Sequence, residues 1–165
     1  MTFNNINEFK DLGFVGFKSI SDLFLNNSIL PNERGVYCIF HPLNRNSEFV
    51  EVGCGGYFKG KNPNVSLIDL ETNWVEDANL IYIGKAGGSG KKATLRSRLK
   101  QYLNFGQGKP VGHWGGRLIW QLKHSSNLLI CWKELPTIEP REYEAELIKS
   151  FVSKFGKRPF ANLAN

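Results

Sequence analysis

Apolar residues fall in short blocks along the chain, and their spacing predicts a mixture of strands and helices. Residues 36–40 are a continuous apolar run. A Pro/Asn turn and Phe49-Val50-Glu51-Val52 follow, a pattern that predicts a β-hairpin within 33–53. Leu80-Ile81-Tyr82-Ile83-Gly84 predicts another strand, as does 127–135, NLLICWKEL. Helical spacing predicts a short helix over 18–27, capped by Ser19 or Ser21, and an amphipathic helix over 94–103 with Thr94 at its cap. A long last helix has Pro140 in its first turn and Gly156 as its stop. The turn-rich segment 54–74 resists assignment, and GRLIWQL, 116–122, is ambiguous by period. A structureless segment this long in a compact domain is commonly functional. No internal repeat appears, and the mix predicts one α+β domain.

The helical patterns also place charges. Around the last helix at 100° per residue, Phe151, Phe155 and Ile148 fall within roughly 40° of Glu144, whereas Glu146 and Lys149 lie on the far side. Glu144 is thus centred in the apolar stripe and needs a cation, either an arginine or a metal ion, to offset its desolvation. Near the helix start it also has the plainer option of reaching solvent. Over 92–103, Leu95, Leu99, Tyr102 and Leu103 form the buried stripe. Lys92, Arg96 and Lys100 make one i, i+4 row beside it, suited to tracking a nucleic-acid backbone. Arg98 stands alone on the other flank, where its fork could meet phosphate oxygens or make an ordinary surface ion pair.

Composition sharpens this in one respect. Net charge is +6, but from Ala78 to Lys133 there is no Asp or Glu, against ten Lys and Arg. The rest of the chain holds 11 basic and 15 acidic residues, a balance of −4. Segregated positive charge of this kind points to a polyanion, above all nucleic acid, with a solvated basic face as the alternative. With 165 residues one domain is expected. No run of about 18 apolar residues appears, and the N-terminus lacks the basic-then-apolar layout of a signal peptide. Cys38, Cys54 and Cys131 are odd in number and widely spaced, which suggests buried small hydrophobes and a cytoplasmic, reducing location.

The stretch GKAGGSGKKAT, 84–94, looks like a phosphate-cradling loop but fails the spacing. The position five before Gly90 is Lys85 instead of glycine, and Gly90-Lys91 is followed by Lys92 instead of Ser or Thr. A nucleotide-binding enzyme is therefore disfavoured. The stretch is either a glycine-rich turn or part of a different phosphate chemistry.

Five elements, in order, give that chemistry a name. Gly35-Val36-Tyr37 and Tyr82-Ile83-Gly84 are two tripeptides on successive strands. Arg98 is followed four residues later by Tyr102, Glu144 precedes Leu-Ile-Lys, and Pro159-Phe160-Ala161-Asn162 closes the pattern. From about residue 34 to 163 the chain resembles the GIY-YIG nuclease family. The resemblance implies an α/β sandwich, a small central antiparallel sheet flanked by helices, over residues 31–165. It leaves 1–30 as an N-terminal helical extension packed on the core and an insertion at about 42–79. It implies phosphodiester hydrolysis in DNA, RNA being left open, with one Mg²⁺ or Mn²⁺ held by Glu144.

Under the same resemblance, Arg98 would stabilise charge on the phosphoryl group while Tyr37 or Tyr82 activates a water. A phenol of pKa about 10 is ionised in only about one molecule in a thousand at neutral pH, and Lys85 is placed to favour the phenolate. Asn162, Tyr102 and Gly84 would orient the site, and Lys91, Lys92, Arg96, Lys100 and Arg117 would meet nucleic acid. The chain departs from the pattern in the 44 residues between the tyrosines, in a long AGGSGKKAT turn, and in having its histidine at 113, within GHWGGR. His113 is a candidate acid, base or phosphate donor, or else a surface histidine. GHWGGR is a candidate DNA-facing loop, and a homodimer would be the simplest way to cut both strands. A noncatalytic nucleic-acid-binding module on the same scaffold is the rival expectation.

Overall fold

The computed structural model describes residues 1–42 and 48–163. Four strands form one antiparallel sheet in the order β1-β4-β2-β3: β1 Val15–Ser19, β2 Gly35–Phe40, β3 Leu80–Ala86 and β4 Leu129–Glu134. The helices are α1 Ile6–Asp11, α2 Ile20–Leu25, α3 Leu67–Asn73, α4 Leu95–Gly106 and α5 Pro140–Phe155. The architecture is α+β, with the sheet between two helical layers.

The pleat explains the layering. Every residue of β2 is buried, because β2 pairs with β3 on one side and β4 on the other. Its side chains alternate between two cores. Tyr37 and Ile39 join Leu95, Leu99 and Tyr102 of α4, whereas Val36, Cys38 and Phe40 join Leu147 and Phe151 of α5. Cys38 and Cys131 are buried opposite each other on the α5 side, as small hydrophobes should be, while Cys54 is exposed.

Helix ends follow local chemistry. Thr94 Oγ1 accepts the Ser97 backbone N–H, and Ser97 Oγ accepts that of Thr94, closing the first turn of α4 reciprocally. Pro140 opens α5, and Gly156, at φ 72°, ends it in the left-handed region.

Residues 1–30 are more than a helical extension. They supply β1, an edge of the sheet, and Phe3, Phe9 and Phe14 enter the α5-side core. Phe9 stands edge-on to Phe40 at 4.8 Å, and Phe3 to Phe151 at 5.1 Å. The hairpin expected within 33–53 forms only its first strand. Its turn falls largely on 43–47, outside the described residues, and Phe49 makes an isolated bridge to Leu122 instead. The physical reason is Gln121. Its buried amide accepts from Val65 N and donates to the carbonyls of Val50, Glu51 and Val65, giving that backbone a partner other than β2. Residues 117–121 form a 3₁₀ turn, which explains their ambiguous period.

Gly84 shows why one motif position excludes a side chain. Tyr37 lies opposite it across β2 and β3, and a Cβ at 84 would come within 2.4 Å of Tyr37 Cζ. Gly84→Ala is expected to cost about 1–3 kcal/mol by overpacking. Urea unfolding of the variant beside wild type measures this, and an unchanged midpoint would mean that the ring yields freely.

Candidate functional site

The site lies round the outer edge of β3, where the two layers meet. Lys85 faces α5, and its Nζ sits 3.1 Å from Glu144 Oε2. The Glu144 side chain is only 18% exposed, so the inward turn expected for it holds and its cation is Lys85. Lys85 is expected to favour a tyrosinate, and its observed ionic partner is Glu144. The strand's alternation sends it to the α5 side, away from the packed tyrosine rings.

Two cavities adjoin at Glu144. One, of about 390 Å³, is bordered by Tyr82, Lys85, Glu144, Asn162 and the Trp114–Arg117 loop. The other, of about 690 Å³, runs along α5 past Lys91, Arg141, Lys149 and Arg158. Glu144 is the one acidic residue among those lining either cavity.

Behind the smaller cavity stands an aromatic cluster. Tyr37, Tyr82 and Tyr102 have ring centroids 5.8–6.3 Å apart. Tyr82 alone of the three borders the cavity. Burial pushes its pKa up to about 12, against the pull of a Tyr37 hydrogen bond and the Arg98 charge. Burial also raises the Tyr37 pKa well above the usual phenol range, and its neighbour Tyr82 adds to this. Tyr102 is buried and donates its hydroxyl to Gly116 O at 2.7 Å, tying α4 to the loop. Gly116 has φ +75°, and a Cβ there would come within 2.7 Å of that hydroxyl.

His113 is fully buried against Tyr102, with ring centroids 4.4 Å apart, and its Nε2 lies 3.4 Å from the Tyr37 hydroxyl. Burial first, and the Arg98 charge second, push its pKa down to about 2. A neutral, enclosed imidazole brings no positive charge to a phosphate. The expectation of a surface histidine or phosphate donor is corrected accordingly, because packing of the glycine loop onto α4 encloses the ring.

Arg98 acts electrostatically on Tyr37, Tyr82 and His113 but lines neither cavity, and its Nη1 donates to Gln101 Oε1 at 3.2 Å. Glu144 acts on the same two tyrosines, so the acid and the guanidinium share one neighbourhood. Arg96 donates to the carbonyls of Leu30 and Ser28, pinning the chain before β2. Lys92 and Lys100 are exposed and line neither cavity, whereas Lys91 and Arg117 each line one. Asn162 accepts from Ile83 N at 2.9 Å and donates to Ile83 O at 2.7 Å, the orienting role expected of it.

Arg141, Lys149 and Arg158 were not legible as site residues. Arg141, Ala145 and Lys149 do form an i, i+4, i+8 row beside Glu144, a signal that the search for an apolar stripe passes over. No group of three or more His, Cys, Asp or Glu gathers anywhere among the described residues. One lone carboxylate does not suit a His- or Cys-ligated metal. It suits a hard cation that keeps most of its waters.

No protein-family model matches the chain, and neither a curated protein nor a solved structure matches it. Among the described residues, no helix is long and apolar enough to cross a membrane.

Proposed function

We propose that the chain is a metal-dependent endonuclease of the GIY-YIG type, acting on DNA. The observation that carries the reading is the convergence of Tyr82, Lys85, Glu144 and Asn162 on one cavity whose other charged residues, Arg117 and Arg158, are cations. Glu144 would hold Mg²⁺ or Mn²⁺, which when bound supplies charge to stabilise a leaving oxygen. Lys85 pairs with the Glu144 carboxylate until a cation displaces it, and Asn162 fixes the backbone of Ile83 beside Tyr82. Tyr82 would act through its phenolate, formed when the phenol proton passes to solvent. The phenolate Oη takes a proton from the attacking water and returns to phenol, and the Tyr37 hydroxyl behind it donates to the phenolate while it lasts. Arg98 favours that phenolate and adds positive charge for a phosphoryl group.

Supercoiled plasmid incubated with protein and Mg²⁺ or Mn²⁺, beside Arg98→Ala and an EDTA control, tests this. Nicking that needs metal and falls about a hundredfold or more in Arg98→Ala is the expected result. No nicking under any metal, or equal nicking by the variant, would sink the proposal.

One observation favours a second reading, a noncatalytic nucleic-acid-binding module. Lys85 already neutralises Glu144, which leaves the surrounding cations free for an anion without any metal. Salt-sensitive binding that ignores both metal and Glu144 would establish this alternative.

A further inference from the structure

Three buried side-chain nitrogens lack a hydrogen-bond partner among the described residues: His113 Nδ1, Trp120 Nε1 and Arg117 Nε. Of these residues, Arg117 borders the smaller cavity, which also holds Glu144, Tyr82 and Asn162. The Arg117 guanidinium lies 4.4 Å from the centroid of the Trp114 ring. Among the described residues it makes no ion pair and no hydrogen bond.

A half-buried guanidinium in this condition is costly. An unsatisfied buried N–H loses its water without replacement, and stacking on an indole meets only part of the charge. Burial accordingly pushes the Arg117 pKa down. The one acid lining this cavity, Glu144, is engaged by Lys85. Arg158, exposed and also without an ion pair among the described residues, borders the same cavity. The cavity therefore carries Lys85, Arg117 and Arg158 against a single carboxylate, an excess of two positive charges.

We propose that Arg117, held flat by Trp114, is the centre of a second phosphate-binding subsite, with Arg158 at its rim. It takes the phosphodiester group next to the one that is cut. Stacking fixes the plane of the fork, and its terminal Nη–H groups match two oxygens of a phosphate. The subsite deepens the nuclease reading and rests on it for the identity of the ligand, since the cavity alone shows only an anion site. Arg117 is a positioning residue here. It grips substrate away from the reacting atoms, so its loss weakens binding more than turnover.

The test is fluorescence anisotropy with a fluorescein-labelled DNA duplex, in Ca²⁺ to suppress cutting, at several salt concentrations. Wild type is compared with Arg117→Gln, Arg117→Lys and Arg158→Gln, each checked for an unchanged melting temperature. Arg117→Gln is expected to weaken binding on the order of ten- to a hundredfold and to reduce the salt slope by about one phosphate contact. Arg117→Lys should keep the slope but recover only part of the affinity, because a point charge lacks the fork. Parallel Mg²⁺ digests should show KM raised and kcat nearly kept in Arg117→Gln. If Arg117→Gln binds with wild-type affinity and slope, the subsite is wrong, and continued cutting by wild type leaves the nuclease reading standing. If wild type cuts nothing but binding still depends on Arg117, the subsite stands and the nuclease reading falls. If wild type does not bind the duplex, both fall.

Discussion

Glu144→Gln should abolish metal-dependent cleavage, with a loss of about a thousandfold or more, while the protein stays folded. The substitution keeps shape and removes one negative charge. Several kcal/mol of transition-state stabilisation depend on that charge if it holds the cation. The structural cost is much smaller. Lys85 and Glu144 are 34% and 18% exposed, and a part-exposed pair of this kind contributes about 1 kcal/mol or less. A thousandfold loss with a melting temperature within a few degrees of wild type would therefore be chemical in origin. Single-turnover nicking by Glu144→Gln beside its thermal melt is the measurement. Retained cutting removes Glu144 from the chemistry.

Lys85→Gln provides the contrast. It frees the carboxylate and should lower the metal concentration needed for half-maximal cutting, since Lys85 and a cation compete for the same oxygen.

The second large effect is on stability in acid. His113 has a folded pKa of about 2, against the usual value near 6.5. Between these values the unfolded chain takes up a proton that the native protein refuses. Stability is full above pH 6.5 and falls as pH drops, by about 1.4 kcal/mol per unit from this one residue. From pH 6.5 to 5.0 the loss is about 2 kcal/mol, a sizeable share of a small domain's total of about 5–15 kcal/mol. Denaturant unfolding at several pH values should show the slope in wild type and a flatter one in His113→Gln, whose side chain does not titrate. Parallel slopes would mean that the ring is hydrated in solution.

The features legible in the sequence were those that depend on neighbours along the chain. Thr94 announces the start of α4, Pro140 and Gly156 bound α5, and the period of α5 turns Glu144 inward. What stayed hidden depends on distant partners. Val15–Ser19 pairs with β4 across more than a hundred residues, and only Ser19, its last residue, gave a local signal, as the cap of α2. Phe49 finds Leu122, and Gln121 gathers backbone from residues 50–65, contacts that no periodicity encodes. His113 reads as either a site residue or a surface histidine, and its burial stays hidden because the flanking glycines that let the loop close over the ring carry no apolar signal. The charges divide in the same way. Arg96 looks like one of a basic row, but two carbonyls about 66 residues away hold it inside the fold.

The hydrogen bonds of Asn162 to Ile83, with Ala161 N donating to Ile81 O at 2.9 Å, have a consequence beyond the cavity. β3 is the last strand on its side of the sheet, and such a margin invites recruitment of a foreign chain. The closing tail acts as a short, non-propagating stopper over that margin. A protein trimmed before Pro159 should stick to copies of itself and precipitate as its concentration rises, even where its remaining interior is intact.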